Sequence, residues 1–177
     1  MTKKIITIGG STSKNSINKV LAEYTGSLLK NVALTKVDLN DFELPLYSVD
    51  LEGEKGIAVA AQELNEVIES ADGFVISLAE HNGAYSAAFK NAFDWLSRIN
   101  GKVWRNKPML LLSTSPGKRG GQSVLDLALG RFPYMGGNIV GSMPFPSFND
   151  NFKDNNIINN ELKSNLFKLV KEFEKAL

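Results

Sequence analysis

Residues 9–18 read GGSTSKNSIN. Four hydroxyl side chains (Ser11, Thr12, Ser13, Ser16) and two amides (Asn15, Asn18) fall within ten residues, and Lys14 is the sole charge. Neutral donors at this density suit an anion. A helix that begins near Ser16 presents unpaired backbone N–H groups and the positive end of its macrodipole. The hydroxyls of Ser11, Ser13 and Ser16 and the amide of Asn18 add donors, so a phosphate is held without an arginine. The same residue types cap helices, but capping one helix needs one side chain, and the stretch supplies several. Two later stretches share its small and polar character: Ala79-Glu80-His81-Asn82-Gly83-Ala84-Tyr85 and Ser115-Pro116-Gly117-Lys118-Arg119-Gly120-Gly121.

Familiar phosphate loops fit the first stretch poorly. A Walker A loop needs Gly-Lys-Ser/Thr, and the dinucleotide fingerprint needs Gly-x-Gly-x-x-Gly; neither is present. A receiver domain needs an acidic cluster at strand ends, and the first strand ends Ile8-Gly9-Gly10. Composition narrows the chemistry further. The chain has no cysteine and a single histidine, His81, which removes thiolate nucleophiles, disulfides, iron–sulfur clusters and His-rich metal sites. The formal net charge of +1 gives no electrostatic case for nucleic acid or an anionic membrane surface. No apolar run approaches membrane-spanning length, and the N-terminal apolar stretch is too short for a signal peptide. A cytoplasmic protein is expected.

The elements that must position these loops alternate in type. Lys4–Ile8, Val32–Val37, Gly73–Leu78, Met109–Ser113 and Ile139–Ser142 read as strands. Helical spacing recurs over Ile17–Leu28, Ala60–Ala71, Ser86–Ile99, Gln122–Phe132 and Leu162–Leu177, while the segment around Pro45, to about Gly56, reads as a loop. Five βα units in alternation predict a doubly wound α/β fold with a five-stranded parallel sheet, order 2-1-3-4-5, and helices on both faces. The length suits one domain over residues 1–177. In open α/β sheets ligands bind beyond the carboxyl ends of the strands. All three polar stretches follow strands 1, 3 and 4 there.

Taken together, the three stretches resemble the NADPH-dependent FMN reductase family, a flavodoxin-like group that includes quinone, chromate and azo-dye reductases. The resemblance runs from about Ile5 to Pro146. The family's first loop, Gly-Ser-x-Arg-x-x-Ser-x-Asn, is matched by Gly10, Ser11, Ser16 and Asn18, with Ser13 in place of the usual arginine. Its second loop, Pro-Glu-Tyr-Asn-Gly, is matched by Glu80, Asn82 and Gly83, with His81 replacing the tyrosine. The helix that follows carries Lys90-Asn91-Ala92-Phe93-Asp94-Trp95, and Ser115 to Gly121 fit a Ser-x-Gly-x-x-Gly-Gly pattern. The resemblance implies that Ser11, Ser13, Ser16, Ile17 and Asn18 bind the FMN phosphate. It implies that Glu80, His81, Asn82, Gly83, Ser115, Pro116 and Gly117 hold the isoalloxazine ring. No side chain is implied as the catalyst, since the flavin carries the hydride chemistry; His81 is a candidate for lining the acceptor site. NADPH or NADH serves as co-substrate, and a ping-pong cycle delivers the electrons to a small-molecule quinone, azo, nitro, chromate or flavin acceptor. A flavodoxin-type electron carrier that binds FMN without NAD(P)H turnover is the alternative. A non-flavin anion-binding module is a third class.

The helix at Ser86–Ile99 is apolar around most of its circumference, and the one at Gln122–Phe132 is similarly rich. A helix on a sheet needs one apolar stripe only. The surplus predicts a homodimer or homotetramer that pairs these helices, with Tyr85, Trp104 and Arg105 placed to complete a neighbour's pocket. A covering loop from the same chain is the competing explanation.

Overall fold

The computed structural model describes residues 2–177. Its elements run β1 (Lys3–Gly10), α1 (Ile17–Ser27), β2 (Val32–Val37), α2 (Val49–Lys55), α3 (Val59–Glu69), β3 (Gly73–His81), β4 (Ala84–Tyr85), α4 (Ala87–Ile99), β5 (Lys107–Thr114), α5 (Gln122–Arg131), β6 (Gly137–Phe145), α6 (Phe148–Asn151), β7 (Phe152–Lys153), β8 (Asn156–Ile157) and α7 (Asn160–Ala176). The principal sheet has the order β2-β1-β3-β5-β6, all parallel, with β4 an antiparallel addition to β3. Setting β4 aside, this is the predicted 2-1-3-4-5 order. No helix among the described residues is long and apolar enough to cross a membrane.

β1, β3 and β5 read as near-continuous apolar runs because both of their faces are covered. Ile6, Ile8, Phe74, Ile76, Met109 and Leu111 face one core, closed by α3, α4 and α5. Ile5, Val75, Leu110 and Leu112 face the other, closed by α1 and α7. β2 is half exposed along its length, as an edge strand should be. α1 crosses so close to β1 that a Cβ on Gly9 would stand 2.5 Å from the Lys19 Cα, so no larger residue fits there.

Three differences from the sequence reading bear on the site. β3 runs on to His81, so the second polar stretch is a β-hairpin rather than a loop. Its turn is Asn82-Gly83, both left-handed with φ of 52° and 77°, the two-residue turn whose twist matches paired strands. The segment read as a loop around Pro45 contains α2, capped by Ser48, whose Oγ accepts from the Leu51 N–H. That segment also explains the apolar surplus of α4. It lies over the helix as a strap. The Asn91 side chain accepts from the Tyr47 N–H at 2.9 Å and donates to the Leu44 and Pro45 carbonyls, while Trp95 Nε1 donates to Pro45 O at 2.8 Å. Tyr47 packs edge-on against Trp95, and Arg98 pairs with Glu52 of α2. Phe89, Phe93, Trp95 and Leu96 are all buried within this chain. The covering-loop explanation therefore accounts for α4, and its apolar surplus gives no support to a dimer.

Candidate functional site

The parallel register brings the strand ends into line. Gly10 of β1 lies beside Leu78 of β3, Ala79 beside Thr114 of β5, and Thr114 beside Phe145 of β6. The three polar stretches leave the sheet from neighbouring positions on one edge, which is where ligands bind in this architecture.

The first loop is built on its own backbone. Ser11 N–H turns back to Gly9 O, Ser11 Oγ accepts from the Ser13 N–H at 3.1 Å, and Ser16 N–H reaches Ser13 O. Ser16 is the N-cap of α1, its Oγ accepting from the Lys19 N–H. The backbone N–H groups of Thr12, Lys14, Asn15, Ile17 and Asn18 find no acceptor among the described residues. Five free donors around a helix N-terminus constitute an anion cradle. Ser13 is exposed, and Ser11 and Ser16 are buried beneath it.

Asn18 has a different position from its neighbours. It is 3% exposed. Its Oδ1 accepts from Ser77 Oγ at 2.7 Å and from the Thr114 N–H at 3.0 Å, and its Nδ2 donates to Thr114 O at 3.1 Å. The amide thus clamps the start of α1 to the ends of β3 and β5. It fixes the floor of the cradle, and its backbone N–H is left for a ligand. Ser86 works similarly: its Oγ donates to Gly10 O at 2.8 Å and accepts from the Phe89 N–H, capping α4 and tying it to the first loop.

The Glu80 carboxylate accepts from the Val124 N–H at 3.1 Å. A carboxylate at the N-terminus of α5 is stabilised by the helix dipole, so this side chain joins the second stretch to the helix that follows the third. His81, Asn82 and Gly83 are exposed on the hairpin tip. Within the third stretch, Ser115 O accepts from the Phe148 N–H and Gly117 O from the Ser147 N–H. The N–H groups of Ser115 and Gly117 have no acceptor among the described residues. Gly117 has no left-handed φ, and only Ser115 Oγ lies within 4 Å of where its Cβ would be; nothing lies within 4 Å of a Cβ at Gly83. Packing demands a glycine at neither position, although the left-handed turn already requires one at Gly83. Two open glycine surfaces with free donors beside an anion cradle are what a planar ring carrying a phosphate tail requires, so the residues present fit a flavin mononucleotide.

Ser77, Ser86, Thr114 and Ser147 were not among the residues singled out from sequence. Thr114 Oγ1 donates to Phe145 O at 2.6 Å, locking the β6 end to the site. Hydroxyls closing otherwise apolar strands were the available signal. Trp104 and Arg105 lie elsewhere: both precede β5, at the opposite edge of the sheet. Trp104 is buried against Phe74, Phe93 and Phe132, and Arg105 is bonded to Asn65 and to the Lys102 and Val103 carbonyls. Neither is placed to complete a neighbour's pocket. Tyr85 leans inward, its ring 5.6 Å from that of Phe89; burial pushes its phenol up to about 12, so it stays protonated. At the β2 side of the cradle Lys19 pairs with Asp38. The lysine's hydrogen bond holds Asp38 below the usual carboxylate range, and the carboxylate raises Lys19.

Comparison with known proteins agrees with this geometry. The family model described as NADPH-dependent FMN reductase matches residues 3–150. A quinone reductase of Escherichia coli (strain K12) is 34% identical over 122 residues, covering 67% of this chain and 63% of that protein. An NADPH azoreductase of Bacillus sp. (strain OY1-2) is 31% identical over 123 residues, covering 70% of this chain and 65% of that protein. The chain thus matches just under two thirds of the length of these relatives. Among solved structures, a flavoenzyme NAD(P)H:(acceptor) oxidoreductase from Paracoccus denitrificans superposes with a TM-score of 0.80 at 23% identity, covering 99% of this chain and 97% of that one. At that identity the likeness is one of fold.

Proposed function

Because the chain belongs to the NADPH-dependent FMN reductase family, we propose that it is an FMN-dependent NAD(P)H oxidoreductase whose site is the cradle and the two glycine surfaces beside it. The observation that carries this reading is the set of unsatisfied backbone N–H groups at Thr12, Lys14, Asn15, Ile17 and Asn18. These donors would hold the flavin phosphate, with the Ser11 and Ser16 hydroxyls close by and Ser13 at the rim. Gly83 and Gly117, with His81, Asn82, Ser115 and Pro116, would hold the ring. Glu80 acts through its backbone and through the α5 cap rather than as a proton donor. FMN held there would supply the chemistry, hydride transfer from nicotinamide and electron delivery to a quinone, azo, nitro, chromate or flavin acceptor. The chain contributes fixed donors, which favour negative charge at the ring edge, and an open surface that two substrates share in turn.

Anaerobic stopped-flow mixing of the FMN-loaded protein with NADH or NADPH is the decisive experiment, followed by an acceptor panel. Bleaching of the flavin absorbance by the nucleotide alone, and parallel double-reciprocal plots with acceptor, are expected. A protein that binds FMN but is not bleached is an electron carrier; one that binds none has no flavin function. A homodimer or homotetramer would use the α5 end rather than α4: Leu127 of α5 and Tyr134 of the turn that follows it are exposed, and they are its proposed apolar contact. Equilibrium sedimentation that shows only monomers at micromolar concentration refutes that contact.

A further inference from the structure

The turn that follows Gly117 carries two cations that the flavin site does not use. Gly120 N–H donates to Gly117 O at 3.1 Å, which closes a β-turn with Lys118 and Arg119 at its centre. Gln122 N–H donates to Arg119 O at 3.1 Å and closes a second turn on Gly120 and Gly121, left-handed with φ of 59° and 78°. Both turns are tied down. Gly117 O also accepts from the Ser147 N–H, and Ser113 Oγ donates to Gly120 O at 2.8 Å. A Cβ on Gly120 would stand 2.7 Å from the Phe145 carbonyl carbon, so the end of β6 presses on this backbone. Lys118 and Arg119 therefore stand on a fixed turn, directly after the glycine surface assigned to the ring.

Both side chains are exposed, and neither forms an ion pair among the described residues. Arg119 Nη2 donates to Ser123 Oγ at 3.0 Å, which steadies the guanidinium against the first turn of α5 and leaves its other nitrogens free. The backbone N–H groups of Lys118 and Arg119 also find no acceptor among the described residues. Neighbouring acids are committed elsewhere. The Glu80 carboxylate accepts from the Val124 N–H, and Asp126 accepts from the Gln122 amide. Asp150, three residues beyond Ser147, pairs with neither cation. Two adjacent cations on a rigid rim, with no counter-charge from the chain, favour an anion brought by a ligand. The phosphate of FMN is not that anion, since its donors lie on the first loop. What remains is a charge carried by the substrate.

We propose that Lys118 and Arg119 are an anion-docking pair at the rim of the flavin site, which selects substrates carrying a negative charge beside the group that meets the ring. The proposal rests on the reading that Gly83 and Gly117 hold the ring of FMN. The anion is either a phosphate of the nicotinamide nucleotide or an acidic substituent of the acceptor, and the two half-reactions separate these sources. FMN-loaded parent protein and the double variant Lys118→Glu, Arg119→Glu are compared in anaerobic stopped flow at about 20 and about 200 mM salt, a range over which exposed charges become strongly screened. The reductive arm uses NADH and NADPH. The oxidative arm mixes the reduced protein with a sulfonated naphthoquinone and with the same quinone lacking its sulfonate. If the nucleotide supplies the anion, the second-order rate constant for bleaching falls about tenfold in the double variant at low salt, and the difference shrinks at high salt. If the acceptor supplies it, reoxidation by the sulfonated quinone falls by about that factor, while the uncharged quinone stays within about twofold of the parent rate. The swap Lys118→Arg, Arg119→Lys keeps both charges and keeps the parent's rates. Affinity for FMN stays within about twofold in both variants. The proposal is overturned if neither half-reaction responds to the charge reversal, or if the uncharged quinone slows as much as the sulfonated one. A parent protein that takes up no FMN is a different result, and it overturns the flavin reading itself.

Discussion

At the scale of single residues, the side chains that matter most here act on the protein before they act on a ligand. Asn18 is the clearest case. Its amide makes three buried hydrogen bonds that connect α1, β3 and β5, and Ala at this position leaves the Thr114 N–H and the Ser77 hydroxyl unpaired away from water. Asn18→Ala is expected to lose about 2–4 kcal/mol of stability in urea denaturation, since unsatisfied buried groups cost about 1–3 kcal/mol each. FMN affinity should fall with it, because the clamp sets where the cradle's N–H groups point. Equal stability of the variant and the parent contradicts this account. Glu80 separates the two roles more sharply. Glu80→Gln keeps an acceptor for Val124 but removes the charge at the α5 N-terminus, an interaction worth about 0.3–1 kcal/mol. Stability should drop by that amount, with FMN binding and turnover changed by less than about threefold. A loss of turnover far beyond that makes the carboxylate part of the chemistry.

At the scale of elements, the parts that were legible in sequence are those whose pattern is set locally. β1, β3 and β5 announce themselves because a parallel strand buried on both faces must be apolar throughout. The first loop is readable because its donors and the α1 cap lie within one short stretch. The strap was not readable. Residues 42–56 have no period of their own, and their path is set by Asn91, Trp95 and Arg98, which lie 44 to 50 residues beyond the residues they bond. Judging α4 without that cover made its buried face resemble an interface. The hairpin has another reason: Asn82-Gly83 is a strong turn signal, yet its polar setting also reads as a ligand loop, the role the proposed flavin site gives it. The strap's dependence on α4 is testable. Asn91→Ala removes the acceptor for the Tyr47 N–H and both donors to the Leu44 and Pro45 carbonyls. Hydrogen exchange at Tyr47 should quicken by about tenfold, corresponding to 1.4 kcal/mol of local opening, with the amides of β3 unaffected. Exchange at Tyr47 that stays at the parent rate means the strap is held by its apolar contacts alone.

At the scale of the whole molecule, the site lies where separately anchored pieces meet. The first loop hangs from β1, the hairpin from β3 and the third stretch from β5, and they are joined by Asn18, Ser86 and Glu80 through a few hydrogen bonds. Packing in the two cores does not itself hold the loops to one another. A flavin that touches all three adds a connection the free chain lacks, and it binds the folded state only. At a free FMN concentration 100 times the dissociation constant, such binding contributes about 2.7 kcal/mol. For a chain of this size each kcal/mol raises the melting temperature by about 2–4 °C, so saturating FMN should raise it by about 5–11 °C in a thermal scan. Riboflavin, which has the ring without the phosphate, should give less than half that rise, because the cradle's unpaired N–H groups then still lack an anion. Equal shifts with FMN and riboflavin mean that the ring alone is bound and that the hydroxyl-rich loop serves only to cap α1.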